Sequence, residues 1–443
     1  VTLTATGAAI TDGDNDAAVD ITAGTLTLTA GGGVGASGSE LDTAVVILDV
    51  SNSGSGDINL LEADDVNVNR IAQTSTGSVT LTTAAGSITV ADGQNGISAT
   101  SGTVKLDAQG VSSDVVINHS ITTAGGAVDI DAGRDVTSTA SDNVTTTAAA
   151  DSGTASGTVN ILAATNVSLA GNVVTTGADH AGNPVTAGAG GQVDISTAAG
   201  TIAVASITTS GGDATNATVG DTGGAAGAIT LNTGDGSTIT LSGNLTAAGG
   251  AGDTPGNGGT ITLMDAVQLA ASSITVSTGV TSGDVVISAA VNADNASNDR
   301  RLTVTAGTGA VTLNSVGDSA RPDELVVAGA TLNLDGGTIN LDNNVDLSGV
   351  TTVVLRTNIA IDTNADGISI DANDDGDVVF NATGSIVDDS TGSTRNLTID
   401  VEDGANDGDV VLPTTIGAAE GVDDERIGTL VVTSGSGTIT LGA

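Results

Sequence analysis

The stretch GSVTLTTAAGSITVADGQNGISATSGTVKL, running from Gly77 to Leu106, decides the fold. It holds three short alternations, Val79-Thr80-Leu81, Ile88-Thr89-Val90 and Ile97-Ser98-Ala99, separated by turns rich in Gly, Asp and Asn; at Gly102 the opening pattern begins again. In each alternation the apolar side chains sit two apart, so on an extended chain they share one face. A strand this short cannot bury that face alone. Three strands and three corners make one coil, and coils stacked about 4.8 Å apart pair each strand with those above and below while the aliphatic faces turn inward.

The same opening, Gly-x-[Val/Ile/Leu]-x-[Leu/Ile/Phe], recurs at Gly24, Gly56, Gly77, Gly102, Gly126, Gly157, Gly191, Gly227, Gly259, Gly283, Gly309, Gly337, Gly376, Gly408 and Gly437. Spacings run from 21 residues (Gly56 to Gly77) to 39 (Gly337 to Gly376), the range of stacked arrays. The expected fold is therefore all-β: a single elongated parallel β-helix, or β-solenoid, with essentially no α-helix. At roughly 24 residues per coil it would have about 18 coils and a length of about 90 Å. Composition agrees, since a chain with no Trp or Tyr, one Phe (Phe380) and one Met (Met264) must build its interior from small aliphatics. A thin solenoid suits such a core.

Two regions stand out along the chain. Residues 1–282 read as solenoid coils with Gly-rich corner insertions around 173–258, between Thr175 and Gly190, Thr208 and Ala226, and Ala247 and Gly258. These follow equivalent strands and are expected to project in a row from one corner, as a candidate contact surface or as tolerated loops. Residues 283–443 carry a super-repeat, a first copy over 283–375 and an incomplete one over 376–443, matching Gly283-Asp-Val-Val-Ile to Gly376-Asp-Val-Val-Phe and Arg321 to Arg426. The first residues, Val1, Thr2, Leu3 and Thr4, and the last strand, Thr438, Ile439, Thr440 and Leu441, show no capping pattern. They are candidate assembly surfaces, meeting either further solenoid repeats of the same chain or copies of the chain stacked head to tail.

Charge narrows the partners. With 52 Asp and Glu against 9 Lys and Arg, net −43, the surface disfavours nucleic acid and anionic membranes, and divalent cations are its natural counterpart. No run of about 18 apolar residues exists, so no membrane insertion is expected of this segment. The absence of Cys excludes a disulfide framework and fits an exported bacterial protein.

Calcium is the candidate cofactor. Asp362-Thr-Asn364-Ala-Asp366-Gly and Asp371-Ala-Asn373-Asp-Asp375-Gly-Asp377 both fit Asp-x-Asn-x-Asp-Gly, in which alternate oxygens and a Gly bend converge on a hard cation. Both lack the closing acidic residue, Asn373 and Ala382 standing in that place, and ordinary Asx turns are the competing reading. Asp12-Gly-Asp14-Asn-Asp16 is a third acid-rich turn.

Catalytic residues are not expected. Glycan-cleaving β-helices need a cleft with a carboxylate pair and basic or aromatic subsites, whereas this chain has one Lys (Lys105), eight Arg, and histidines His119 and His180 in separate repeats. Threonine rows such as Thr25-Leu-Thr27-Leu-Thr29 suit outward strand positions, and ice binding would need a flat Thr face that Asp57, Lys105 and Asp129 interrupt. Arg321 and Arg426 are placed to bridge acidic neighbours such as Asp323, Glu324, Asp424 and Glu425.

The Gly-x-Val-x-Leu units, the stretch Ala85 to Val90, the pair Leu41-Asp-Thr-Ala-Val-Val and Gly56-Asp-Ile-Asn-Leu, and the Arg/Leu/Val-Gly super-repeat together resemble the repeats of filamentous-haemagglutinin-like giant surface proteins of Gram-negative and related bacteria. The resemblance covers nearly the whole chain. It implies secretion, a right-handed parallel β-helix, and a role in adhesion, a cell envelope or an extracellular fibre, and it carries over no catalytic residues. A structural fibre, sheath or stalk is the expected function, and an adhesin region binding a surface or glycan through the corner insertions is the alternative.

Overall fold

A computed structural model describes residues 1–443 apart from 14, 15, 17, 183, 184, 216–219, 296, 364–375, 390–393, 403–406, 418–425 and 443. Among the described residues the chain is all-β, with 41 strands, no α-helix and parallel strand pairing throughout. This is the parallel β-solenoid expected. Contacts divide it into two units, Val1–Ser237 with Gly249–Asn257, and Thr238–Ala248 with Gly258–Ala443.

In the first unit the coils stack in three ladders; from Val79 to Thr208 each coil adds one strand to each, whereas the earlier strand Val66–Gln73 serves two of them. One ladder passes through Leu3, Leu28, Val50, Ile71, Ile97, Ile121, Val144, Val173 and Ile207. A second runs through Val66, Ile88, Val115, Val136, Val167 and Ile202. The third takes Ile58, Val79, Val104, Val128, Val159, Val193 and Ile229. Aliphatic thus stacks on aliphatic from coil to coil.

Register follows from burial. Strands Val79–Thr83, Val104–Ala108 and Val128–Ala132 all alternate buried and half-buried positions. A slip by one residue would turn Leu106 outward and bring Lys105 in. Burying one such aliphatic stabilises by about 1.5–3 kcal/mol, enough to hold the register at every rung.

The repeated glycine has a steric cause. A Cβ on Gly102 would overlap the carbonyl oxygen of Gly77, one on Gly126 that of Gly102, one on Gly157 that of Gly126, and one on Gly191 that of Gly157. These glycines form a column in which successive corners approach too closely for any side chain. Not every glycine of the sequence pattern belongs to it. A Cβ on Gly24 meets nothing within 4 Å, and one on Gly337 meets only the Asn358 carbonyl at 3.8 Å. Strand Thr338–Asn340 accordingly lies in another ladder, pairing with Ile359–Asp362.

The second unit is built in the same way, with Ile274, Leu302, Leu325, Val345, Val378, Val410 and Ile439 in register. Segments matched by the super-repeat occupy different ladders within it. Val285 pairs with Val311, whereas its match Val378 pairs with Val345 and Val410. Phe380 is buried in this unit, while Met264 is exposed.

Candidate functional site

The polar residues at the corners are organised as strictly as the core. The residue before a strand accepts, through its side chain, the backbone N–H of its counterpart one coil on. Asp65 Oδ1 accepts from Ser87 N (2.7 Å), Ser87 Oγ from Asp114 N (3.1 Å), Asp114 Oδ1 from Asp135 N (3.2 Å), Asp135 Oδ1 from Asn166 N (2.8 Å) and Asn166 Oδ1 from Thr201 N (3.0 Å). Burial alone would raise the Asp135 carboxyl, but the Thr165 hydroxyl, the backbone and side-chain N–H groups of Asn166 and the nearby Arg134 hold it below the usual carboxylate range.

Basic side chains bind the same stack. Arg70 meets Asp49 at 2.7 Å and Arg301 meets Glu324 at 3.1 Å, each pair being register partners on adjacent strands. Arg321 reaches Asp342 at 3.3 Å, while Glu324 is taken by Arg301. Asp424 and Glu425, the suggested partners of Arg426, lie outside the described residues. Arg70, Arg301 and Arg321 thus pair between coils, while Lys105, Arg300 and Arg395 also meet acids nearby in sequence, and the carboxylates still outnumber the basic residues several-fold.

Of the residues expected to hold calcium, Asn364, Asp366, Asp371, Asn373 and Asp375 lie outside the described residues. Asp362 ends the strand Ile359–Asp362, paired with Asn340 and Asp400. Asp377 belongs to a corner column: its N–H donates to Asn344 Oδ1 (2.8 Å) and its Oδ1 accepts from Asp409 N (2.7 Å).

A different acidic group comes together in the first unit. Asp12, Asp20 and Asp42 each place a carboxylate oxygen within 4.8 Å of the other two. Asp12 lies in the turn after Ile10, which bridges to Val34; Asp20 precedes strand Ile21–Ala30; and Asp42 is the second residue of strand Leu41–Asn52. Asp20 and Asp42 are held together by the bonds Asp20 N to Asp42 O (2.9 Å) and Asp42 N to Asp20 Oδ2 (3.2 Å). Asp12 was visible in the sequence as part of an acid-rich run, but Asp20 and Asp42 were not. Their only signal is a separation of one coil, which identifies neighbours once the register is known.

The corner insertions are ordered against one another. The first two leave their coils at a clamp: Thr175 Oγ1 donates to Gly191 O (2.5 Å) while Gly191 N donates to Thr175 O (2.8 Å), and Thr209 with Gly227 repeats both bonds; the third keeps only the backbone bond, Gly259 N to Ala247 O (2.9 Å). Outgoing and returning segments then hydrogen-bond alternately, through Gly188 N to Ala178 O, Gly212 N to Gly188 O, Gly224 N to Gly212 O and Gly250 N to Gly224 O. A Cβ on Gly212, Gly224 or Gly250 would overlap the backbone of its neighbour, so the glycines let extended backbones pack directly on each other. The insertions form a stacked ridge of their own.

At the outermost strands, the amine of Val1 donates to Thr25 O (2.7 Å), and Thr2, Leu3 and Thr4 pair with Thr27, Leu28 and Thr29. Ile439, Thr440 and Leu441 pair with Val410, Val411 and Leu412, and Thr438 N donates to Asp409 Oδ1. Leu3, Ile439 and Leu441 are exposed apolar residues, unlike their partners Leu28, Val410 and Leu412.

Two shallow concavities mark the second unit. One, of about 350 Å³, is lined by Gly317 to Arg321, Asn340 and Asp362; Asp318 there binds the hydroxyls of Ser315 and Thr338. The other, of about 250 Å³, includes Glu324, Asn344, Asp346 and Asp377, all engaged in the bonds between or along coils described above or, for Asp346, with Ser348 N. Comparison of the chain with protein-family models, with curated proteins and with solved structures gave no match.

Proposed function

We propose that this chain is a structural, non-enzymatic β-solenoid of a bacterial surface or extracellular space, forming a stiff anionic part of a fibre, sheath or stalk. The observation that carries this reading is the continuity of every layer from coil to coil: aliphatic ladder, glycine column and polar corner column all repeat in register. Such a stack resists bending and cleavage because each backbone segment is held on both sides, and basic sites for trypsin-like proteases are few. Its resemblance to filamentous-haemagglutinin-like repeats points the same way. The outermost strands would accept further coils of the same chain or a second copy, since an open strand edge recruits another.

Immunogold labelling of the source cells with antibodies to this chain tests the proposal. Label along extracellular fibres or the cell surface is the expected result, and label confined to the cytoplasm would overturn it. A second reading is favoured by the ordered ridge of insertions, which offers a rigid surface for attachment to a glycan or another cell. Removing residues 177–189 and 211–225 distinguishes the two, because loss of attachment with intact strands would make the ridge the binding element.

A further inference from the structure

We propose that Asp12, Asp20 and Asp42 bind one divalent cation of the calcium type, which fastens the turn after Ile10 to the leading strands of two successive coils. Geometry permits a single ion. With calcium–oxygen bonds of about 2.3–2.6 Å, oxygens on opposite sides of the ion lie about 5 Å apart and neighbouring ones closer. Three carboxylate oxygens within 4.8 Å of one another can therefore all contact the same centre. Water and backbone carbonyls would complete a shell that calcium fills flexibly and magnesium does not.

Proximity of acids alone would carry little. The decisive residue is Asp42, which is only 5% exposed and whose carboxylate accepts no hydrogen bond among the described residues, although it lies against Asp20 and Asp12. The neighbouring charges acting on it, from Asp20, Asp12, Glu40 and Asp16, are all negative. Glu62 and Asp135 show how this fold normally treats such a group. Glu62, fully buried, accepts from the Thr43 hydroxyl (2.7 Å), Val45 N (2.8 Å) and Ala63 N (3.2 Å), and Asp135 accepts from Asn166 and Thr165. A carboxylate so little exposed to water and without donors is disfavoured unless a proton or a cation joins it. A divalent ion shared by Asp12, Asp20 and Asp42 would offset the charge that the three carboxylates bring together.

The test compares backbone hydrogen exchange in the full chain, stripped with a chelator, before and after calcium is added at constant ionic strength. Exchange in peptides spanning 9–13 and 40–44 is expected to slow by about tenfold, the effect of a ligand present at roughly ten times its dissociation constant. Asp42→Asn and Asp20→Asn should each abolish this slowing and remove one bound calcium in equilibrium dialysis, while Asp129→Asn, on an outward strand position, should change neither. Circular dichroism of the variants checks that strands persist; Asp42→Asn removes a buried charge and should fold at least as well as the parent. Three results would overturn the assignment: no change in exchange with calcium, an equal response in Asp42→Asn, or an equal response to sodium alone, which would mean diffuse screening of the acidic surface.

Discussion

The Thr175 hydroxyl donates to the carbonyl of Gly191 at 2.5 Å, and the Gly191 N–H returns a bond to the Thr175 carbonyl at 2.8 Å. The Gly191 carbonyl is also the group a Cβ on Gly227 would strike, one coil further on. One threonine and one glycine thus close the base of an insertion and set the stacking distance of the next corner. Both bonds recur with Thr209 and Gly227, and the hydroxyl bond recurs with Thr146 and Gly157; each threonine is fully buried. The glycine repeat and a buried threonine column are two sides of one corner.

Replacing a column glycine should be costly, and replacing a pattern glycine outside the column should not. Gly126→Ala and Gly191→Ala force overlap with the backbone of the preceding coil, and each is expected to destabilise by about 1–3 kcal/mol, as overpacking does. Gly24→Ala enters open space and should shift stability by less than about 0.5 kcal/mol. Urea unfolding followed by far-ultraviolet circular dichroism separates them. Equal effects of Gly24→Ala and Gly191→Ala would mean that close approach is not what the glycine repeat preserves.

The threonine side of the corner can be tested with its isostere. Thr175→Val keeps the shape but removes the donor to the Gly191 carbonyl, an expected loss of about 1–3 kcal/mol for a buried acceptor deprived of its partner. Thr175→Ser keeps the hydroxyl and should recover most of that bond, losing only the packing of one methyl. A valine variant as stable as the parent would show that the carbonyl finds another donor.

How much of this was visible from the sequence depends on distance along the chain. The three strands between Val79 and Ala99 could be placed because alternation is local, and they appear in the structure at Val79–Thr83, Ile88–Val90 and Gly96–Ala99. Identical local patterns do not reveal which ladder a strand joins. Gly309-Ala-Val-Thr-Leu and Gly337-Thr-Ile-Asn-Leu look equivalent, yet Val311 pairs with Val285 and Leu332, while Ile339 pairs with Ile361. Corner lengths decide the ladder, and they vary. The Asp20–Asp42 contact was hidden for the same reason, since nothing local distinguishes either residue from the chain's many other acids.

Acidity should stabilise the folded chain as neutral pH is lowered. Burial raises the Glu62 carboxyl above its ordinary 4.5, an effect that the donors Thr43 and Val45 N lessen but do not cancel and that Asp64 reinforces. The folded state therefore holds this proton more tightly than the unfolded state. Its contribution is fully present below the unfolded value and is lost as pH rises through the raised folded value. Asp131, Asp194 and Asp323 are shifted in the same direction, mainly by burial. Melting temperature at low salt is expected to fall as pH rises from the ordinary carboxylate value of 4.5 toward neutrality, and Glu62→Gln should flatten part of that slope. A melting temperature that climbs over this interval would contradict the assignment.

The insertion ridge should loosen without the coils. Gly224→Val places a side chain against the Gly188 carbonyl and near Gly212 N, in the middle of the alternating bonds that join outgoing and returning segments. Valine cannot be accommodated there without separating the backbones, so amides of Gly188, Gly212 and Gly250 should exchange about tenfold faster or more, in keeping with local opening. Val193 and Ile195 lie in the neighbouring strand Val193–Thr197, whose hydrogen bonds belong to the coil ladder, and their amides should stay protected. Mass-spectrometric hydrogen exchange resolves these segments. Equal acceleration in Val193–Thr197 would make ridge and coil one cooperative unit, whereas acceleration confined to the ridge would make the variant a clean reagent for attachment assays: an intact solenoid whose insertions alone have lost their order.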